Sequence, residues 1–220
     1  MTTPYPLGRL LFHDERSRGF PAPTSGTVQS VSHKHSGPWL DQGSVSSCTG
    51  NMLAQLCNTL PHHRPRGRYK REPDAIGYYT RATQLDTFPG EYPAQDTGST
   101  GLAVCKAGVE AGVIGSYDHA FGLDHAIEAL QLQPQGWGIN WYEGMFNPDR
   151  HGVVAPTGAL VGGHEFLVYG VDMTNQWIEC GNSWGPRWGL RGRFRIALPD
   201  AARLLGENGD VVVPQPTGGV

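Results

Sequence analysis

The stretch DQGSVSSCTGNMLAQLCNTL, residues 41–60, holds the pattern that decides the fold. A turn rich in glycine and serine leads into apolar residues at helical spacing, and Pro61 then prevents the helix from continuing. The spacing predicts a helix of about three turns with Cys48 in its first turn. Because unpaired N–H groups and the helix dipole favour an anion at that position, Cys48 is the candidate nucleophile.

A lone cysteine on an apolar helix is also commonly a small buried hydrophobic residue, and position alone leaves both interpretations of Cys48 open. The second half of the chain favours the nucleophile. In GGHEFLVYGVD, residues 162–172, His164 opens a run of β-formers, and Asn182 ends the next apolar run. Two strands that carry a histidine and an asparagine in this way can supply a general base and the residue that orients it.

Three short motifs resemble those of the papain-like cysteine peptidases in order and spacing. They are DQGSVSSC at residues 41–48, GGH at 162–164 and NSWG at 182–185. The first motif is closest to prokaryotic or phage-type members, although Val45 stands where many members have a half-cystine. The resemblance implies an α+β fold of two lobes, an N-terminal helical lobe and a C-terminal antiparallel β-sheet lobe, with the active site between them.

The resemblance also implies a role for each matching residue. Cys48 would attack the scissile carbonyl, and His164 would take its proton and later return it to the leaving amine. Asn182 would orient the imidazole, and Gln42 with the backbone N–H of Cys48 would stabilise the oxyanion. The residues implied in substrate binding are Gly98, Ser99, Gly163 and Trp184, the last of which would also cover the bond between Asn182 and His164. No cofactor is expected, and no metal, since the chain has no HExxH or paired CxxC spacing.

Gly98 and Ser99 have a second interpretation. In members of the family a glycine-bearing loop at this point pairs its backbone with an extended substrate, and Gly98 would allow the close approach. The stretch FPGEYPAQDTGSTG, residues 88–101, is equally consistent with a plain turn in which Ser99 caps the following helix. The sequence leaves both interpretations open.

The remaining pattern predicts helices first and strands later. Further helices are predicted at residues 73–82, 102–109 and 124–130, the last capped by Asp124. Strands are predicted for GWGINWYEGMF, GHEFLVYGV, QWIECGN and GRFRIAL. We expect a single papain-like domain over residues 1–220, with a helical lobe at about 41–132, a β lobe at about 133–220 and the N-terminal arm, 1–40, packed across. Only residues 1–41 precede Gln42, which suggests an enzyme made without a helical prosegment.

The basic stretch PHHRPRGRYK, residues 61–70, is predicted to be a solvated connecting loop. Its histidines, His62 and His63, are interpreted as exposed rather than metal-bound, and His33 and His35 are interpreted in the same way.

Composition and net charge limit the binding partners and the cellular compartment that we expect. A formal net charge of −3 and a pI near 6.3 give no basic field to hold nucleic acid. No apolar run is long enough for a signal peptide or a membrane span, so no membrane partner is expected. If Cys48 is free, three cysteines remain, which favours reduced thiols and leaves one disulfide open. We expect a cytoplasmic or virion-associated monomer.

The function that this pattern favours is a cysteine endopeptidase, which hydrolyses a polypeptide substrate through a thiolate–imidazolium pair and an acyl-enzyme. One alternative is a cell-wall peptide hydrolase or amidase, or a transpeptidase, that uses the same Cys–His pair. Another is a non-catalytic binding module of the same fold. A separate protein inhibitor stays open as a partner.

Overall fold

In the computed structural model, which describes residues 3–63 and 67–218, helices from the first half of the chain pack against an antiparallel sheet. Most strands of that sheet come from the second half, so the predicted α+β class is confirmed. The predicted connecting loop at residues 61–70 falls partly outside the described residues, which do not include 64–66.

The helices are α1 (Cys48–Cys57), α2 (Glu72–Leu85), α3 (Gly101–Glu110), α4 (Gly122–Leu130) and α5 (Leu198–Gly206). The helix predicted after the glycine- and serine-rich turn begins at Cys48 and ends ahead of Pro61. The prediction that Asp124 caps α4 is wrong, because α4 already begins at Gly122 and Asp124 lies in its first turn. There its charge is favourable to the helix dipole. None of the described helices is long and apolar enough to span a membrane.

The strands are β1 (Val31–Ser32), β2 (Ser116–Ala120), β3 (Gln135–Tyr142), β4 (Leu160–Asp172), β5 (Trp177–Gly181), β6 (Arg193–Ala197) and β7 (Asp210–Gln215). Their order is β2-β7-β3-β4-β5-β6, with β1 paired to β4, and all neighbours are antiparallel. The register of β4 and β5 pairs Leu167 with Gly181. His164, earlier on β4, therefore comes beside Asn182, which directly follows β5.

β4 separates two buried apolar clusters. Because side chains alternate between the faces of a strand, Leu167 and Tyr169 pack with α1, α2 and α3, whereas Phe166 and Val168 pack with the other strands, α4 and α5. α4 thus packs against the strands, although its residues come before residue 133, where the β lobe was predicted to begin. The lobe boundaries given above stay a prediction.

A glycine fixes how α1 and α2 meet. A Cβ atom on Gly50 would lie 2.1 Å from the carbonyl oxygen of Ala75, so only glycine permits this close approach. α2 therefore packs directly on the first turn of α1, the turn that begins with Cys48.

All four cysteines are free and buried, so the disulfide left open by the sequence does not form.

The prediction that His35 and His62 are exposed is wrong. His35 stacks on Trp39 with ring centroids 4.0 Å apart, and both ring nitrogens of His62 are buried. Burial lowers the pKa of each imidazole to about 4.

Candidate active site

Cys48 lies where α1 meets β4. Its side chain is completely buried, and the backbone N–H groups of Glu165, Gly8 and Thr49 lie close enough to its sulfur to lower the pKa of the thiol. Glu165 directly follows His164 on β4. The fold thus brings the predicted nucleophile to the strand that carries the predicted base.

The side-chain amide of Asn182 fixes the tautomer of His164. Nε2 of His164 donates to Oδ1 of Asn182 at 2.8 Å, and the same oxygen accepts from the N–H of Ser183 at 2.7 Å. Because an amide oxygen can only accept, the neutral imidazole carries its proton on Nε2 and leaves Nδ1 unprotonated. Nδ1 has no hydrogen-bond partner among the described residues, so it is available to take a proton.

Two tryptophans shield this hydrogen bond. The ring of Trp184 stacks on the imidazole of His164 with centroids 4.7 Å apart and an angle of 26°, and Trp141 meets it edge-on at 5.0 Å. Both tryptophans are buried. By excluding water they keep the bond between His164 and Asn182 in a medium of low dielectric, where it is stronger.

Gln42 is held so that one amide hydrogen points into the cleft. Its Oε1 accepts from the hydroxyl of Ser183 at 2.5 Å, and its Nε2 donates to the carbonyl of Val45 at 2.8 Å. The remaining hydrogen of Nε2 is directed at the carbonyl oxygen of Pro6, 3.5 Å away. A carbonyl oxygen therefore already lies where the predicted oxyanion donor points.

That carbonyl belongs to an N-terminal stretch that runs through the cleft. We call residues 5–10, YPLGRL, the cleft segment. Ser99 donates its N–H to Gly8 O at 2.8 Å, and Leu10 donates to Ser99 O at 2.8 Å, so the segment runs parallel to the chain at Ser99. Across the cleft, the N–H of Arg9 donates to Gly163 O at 3.1 Å.

Each residue predicted to bind substrate contacts the cleft segment. Ser99 and Gly163 make the backbone bonds just described, and Nε1 of Trp184 donates to Pro6 O at 3.3 Å. A Cβ atom on Gly98, whose φ is +80°, would lie 2.4 Å from Gly8 O. Glycine at this position is therefore what lets the segment approach. The bound chain is the protein's own, so the role of these residues toward a substrate stays a prediction.

The second interpretation of residues 88–101, a plain turn in which Ser99 caps the following helix, is wrong. Thr100, not Ser99, caps α3, since its side chain accepts from the N–H of Ala103 at 3.0 Å. The hydroxyl of Ser99 instead donates to Oδ2 of Asp86 at 2.6 Å, and this hydrogen bond anchors the loop.

Burial in the covered cleft favours the neutral forms of Cys48 and His164. Burial raises the pKa of the Cys48 thiol to about 12, outweighing the backbone N–H groups that lower it. Burial also lowers the pKa of the His164 imidazole to about 4, against the opposite effect of Asn182. We therefore expect the thiolate–imidazolium pair predicted from the sequence to form when the cleft segment leaves and water enters the cleft.

The arrangement of helices and sheet matches solved structures of cysteine proteases. Xylellain, a cysteine protease from Xylella fastidiosa, superposes with a TM-score of 0.77 at 16% identity, over 98% of this chain and 99% of that one. The chain has a papain-like fold.

Plant and insect enzymes share this papain-like fold. The bromelain protease from Ananas comosus, solved with the E64 inhibitor, matches at a TM-score of 0.52 and 17% identity, over 86% of this chain and 100% of that one. Procathepsin L 3 of the Tenebrio molitor larval midgut matches at 0.58 and 16%, over 96% of this chain and 75% of that one. No family model and no curated protein sequence matches the chain. The likeness is therefore one of fold.

Sequence reasoning missed one group of residues beside the candidate site. Arg9, Glu165 and Asp210 meet beneath the cleft segment, although they lie far apart in the sequence. The one available signal was Glu165 itself, a carboxylate within the buried run of β-formers that follows His164.

Proposed function

We propose that the chain is a cysteine endopeptidase in which Cys48 is the nucleophile and His164 the general base. The observation that carries this proposal is the unpartnered Nδ1 of His164, whose tautomer Asn182 fixes. The sulfur of Cys48 lies against the N–H of the next residue, Glu165. The papain-like fold, shared with proteases such as xylellain and bromelain, supports the same reading.

The first half of the reaction forms an acyl-enzyme. With the cleft open to water, the thiol proton of Cys48 passes to Nδ1 of His164, which gives a thiolate and an imidazolium. The thiolate attacks the scissile carbonyl carbon, and the carbonyl oxygen becomes an oxyanion. The free amide hydrogen of Gln42 and the N–H of Cys48 donate to it. His164 then gives its proton to the amine as the C–N bond breaks.

The second half releases the acid. Water enters in place of the amine, His164 Nδ1 takes one of its protons, and the hydroxide attacks the thioester carbonyl. The tetrahedral intermediate collapses, the C–S bond breaks, and the sulfur of Cys48 recovers the proton. The uncharged amide of Asn182 is enough to orient His164, because the Cys48 thiolate balances the charge of the His164 imidazolium.

The groove occupied by the cleft segment suits an extended polypeptide. Backbone groups of Ser99 and Gly163 face each other across it, and each already bonds the backbone of the segment rather than a side chain. Such backbone pairing binds a peptide irrespective of most of its sequence and holds it extended beside the nucleophile.

A covalent probe tests the proposal directly. An epoxide of the E-64 type should label the purified chain once, on Cys48, and should stop hydrolysis of an unfolded protein substrate. Cys48→Ala should lose both labelling and hydrolysis. Cys57→Ala is the matched control, since Cys57 is a buried thiol at the other end of α1 and should leave both unchanged.

The outcomes separate the alternatives. Hydrolysis that persists in Cys48→Ala contradicts the proposal. Labelling of Cys48 with turnover of peptidoglycan, and none of unfolded protein, indicates a cell-wall hydrolase instead. No labelling and no turnover, even in a variant in which the cleft segment is displaced, indicates a binding module.

A further inference from the structure

The turn that orients Gln42 is held from two sides. The peptide unit between Val45 and Ser46 lies in this turn, three residues before Cys48. Its C=O accepts from Nε2 of Gln42 at 2.8 Å, and its N–H donates to the carboxylate of Asp96. The direction of the Gln42 amide therefore depends on a peptide unit that Asp96 holds.

Asp96 binds that N–H with both of its oxygens. The N–H of Ser46 lies 2.9 Å from Oδ2 of Asp96 and 3.2 Å from Oδ1, although 50 positions separate the two residues in the chain. A hydrogen bond to an ionised acceptor is about twice as strong as one between neutral groups. The carboxylate thus joins the turn before α1 to the loop before α3.

Tyr79 extends the contact from Asp96 to the backbone that lines the cleft. Its hydroxyl donates to Oδ1 of Asp96 at 2.6 Å and accepts from the N–H of Gly98 at 2.9 Å. Gly98 directly precedes Ser99, whose backbone bonds the cleft segment. A continuous chain of hydrogen bonds therefore leads from the amide of Gln42 to the backbone that would hold a substrate.

The ring of Tyr79 is a fixed point in this chain of bonds. Tyr79 is completely buried on α2 where α2 packs on α1, and a Cβ atom on Gly50 would lie 2.9 Å from Cβ of Tyr79. Burial and the hydrogen bond to Asp96 raise the pKa of the Tyr79 hydroxyl, so it keeps the proton that it donates. Asp96 is thereby tied to a rigid pair of helices.

Asp96 itself is exposed and contributes little to the core. Among the residues that the structure describes, its oxygens accept only from Ser46 and Tyr79. Exposed side chains outside the core change the free energy of unfolding little when they are replaced. The contacts of Asp96 therefore suit a residue that sets the relative position of two loops.

We propose that Asp96 is a positioning residue for hydrolysis, which holds the oxyanion donor Gln42 and the loop that pairs with the substrate in one arrangement. The inference rests on the proposed peptidase function and adds a residue outside the reacting groups. Through the turn before α1, the carboxylate aims the amide of Gln42 and so acts on kcat. Through Tyr79 it holds the N–H of Gly98 and so acts on KM.

The kinetic tests use the Gly8→Ala chain as their reference. A Cβ atom there would lie 1.9 Å from the carbonyl oxygen of Ser46, so the cleft segment has to move and a substrate meets an open groove. In this reference, Asp96→Ala should lower kcat for an extended fluorogenic peptide about tenfold and raise KM about fivefold. Glu91→Ala removes another exposed carboxylate of the same loop and should change neither constant. Equal kinetics in Asp96→Ala and the reference overturn the inference.

A double-mutant cycle separates positioning from a general loss of structure. When Gln42 is already replaced by alanine, Asp96→Ala should change kcat by less than about twofold, because the amide that the carboxylate aims is gone. A general loss of structure lowers kcat by the same factor whether or not Gln42 is present. Equal falls of kcat in the two backgrounds therefore overturn the inference.

Tyr79→Phe tests the connection to the substrate loop. The ring keeps its packing, but the N–H of Gly98 loses its buried acceptor, so KM for the extended peptide should rise about fivefold. Asp96→Ala added to this variant should raise KM by less than about twofold more. A KM that Tyr79→Phe leaves unchanged, or that Asp96→Ala raises again by the full factor, overturns the inference.

A second substitution guards against a folding defect. Asp96→Asn keeps the shape of the side chain and one acceptor oxygen, so it should show the same pattern with smaller factors. Unfolding of both Asp96 variants under the assay conditions, measured by circular dichroism, would assign Asp96 to the stability of the fold and overturn the inference.

Failure of the inference is distinct from failure of the proposed function. If the reference chain cleaves the peptide and Asp96→Ala cleaves it equally well, only the role of Asp96 is wrong. If the reference chain cleaves no peptide and Cys48 is not labelled, the peptidase proposal falls, and the role of Asp96 falls with it.

Discussion

Nε2 of His164 and Oδ1 of Asn182 lie 2.8 Å apart although 18 positions separate the two residues in the chain. The antiparallel register of β4 and β5 brings them together, and Trp184 stacks over the imidazole. The bond leaves one ring nitrogen protonated and the other free. A pair of neighbouring strands therefore determines which nitrogen can act as a base.

Removing the amide of Asn182 should impair proton transfer. In Asn182→Ala, the imidazole of His164 can rotate and adopt the other tautomer, so we expect kcat to fall by about 100-fold with little change in KM. Steady-state kinetics on a fluorogenic peptide measures both. Asn175→Ala, in the exposed turn between β4 and β5, is the control and should behave like the wild type. An unchanged kcat in Asn182→Ala would show that His164 needs no orienting residue.

A methyl group at Gly8 should displace the cleft segment. The Cβ atom of an alanine there would lie 1.9 Å from the carbonyl oxygen of Ser46, so the segment has to move. Because packing clashes of this kind cost about 1–3 kcal/mol, we expect Cys48 in Gly8→Ala to react with a thiol probe about tenfold faster or more. The second-order rate of labelling measures this.

The control for that variant is Gly19→Ala, because a Cβ atom on Gly19 meets nothing within 4 Å. Its labelling rate should equal that of the wild type. Equal rates in all three chains would mean that the segment does not limit access to the sulfur.

The amide of Gln42 should matter only when an oxyanion forms. In Gln42→Ala we expect kcat for peptide hydrolysis to fall by about 100-fold or more, as for other oxyanion donors. Alkylation of Cys48 by iodoacetamide generates no oxyanion, so its rate should stay unchanged. If hydrolysis and alkylation fall together, Gln42 acts by holding Val45 and Ser183 in place rather than by donating to the reaction.

Acid should weaken the folded state through its buried histidines. His35, with a pKa of about 4 against an ordinary 6.5, is neutral when folded and takes up a proton on unfolding. Its contribution to stability is complete above pH 6.5 and is lost as the pH falls from there toward 4. At about pH 5 the loss amounts to about 2 kcal/mol for one such histidine.

Urea midpoints at about pH 7.5 and about pH 5 measure this effect. In His35→Gln the difference between the two midpoints should shrink. His13→Gln changes an exposed imidazole and should leave the difference as in the wild type. The same difference in all three chains would place the acid sensitivity in other groups.

Local sequence patterns predicted the elements that carry the candidate catalytic residues. The apolar spacing after Cys48 predicted α1, and the β-formers around His164 predicted β4, because each signal lies within one element. Two strands, β2 and β7, and the helix α5 were not predicted. β2, SYDHA, shows little apolar alternation, so pairing with β7 rather than local pattern defines it.

The site was harder to predict where it depends on distant contacts. The pocket around Arg9 combines an arm, a central strand and the last strand, β7, which no spacing rule connects. The burial of His35 depends in the same way on the ring of Trp39, four residues further along an irregular stretch. Composition alone predicts that such polar side chains are exposed to solvent, and only the packed fold shows that they are buried.

The cleft segment is covalently joined to the protein it covers, so its occupancy of the groove is a unimolecular equilibrium. Dilution cannot release it, and the fraction of covered molecules is the same at every protein concentration. A competing peptide faces a tethered rival whose effective concentration is on the order of millimolar. A peptide that binds the groove only weakly therefore does not displace the segment.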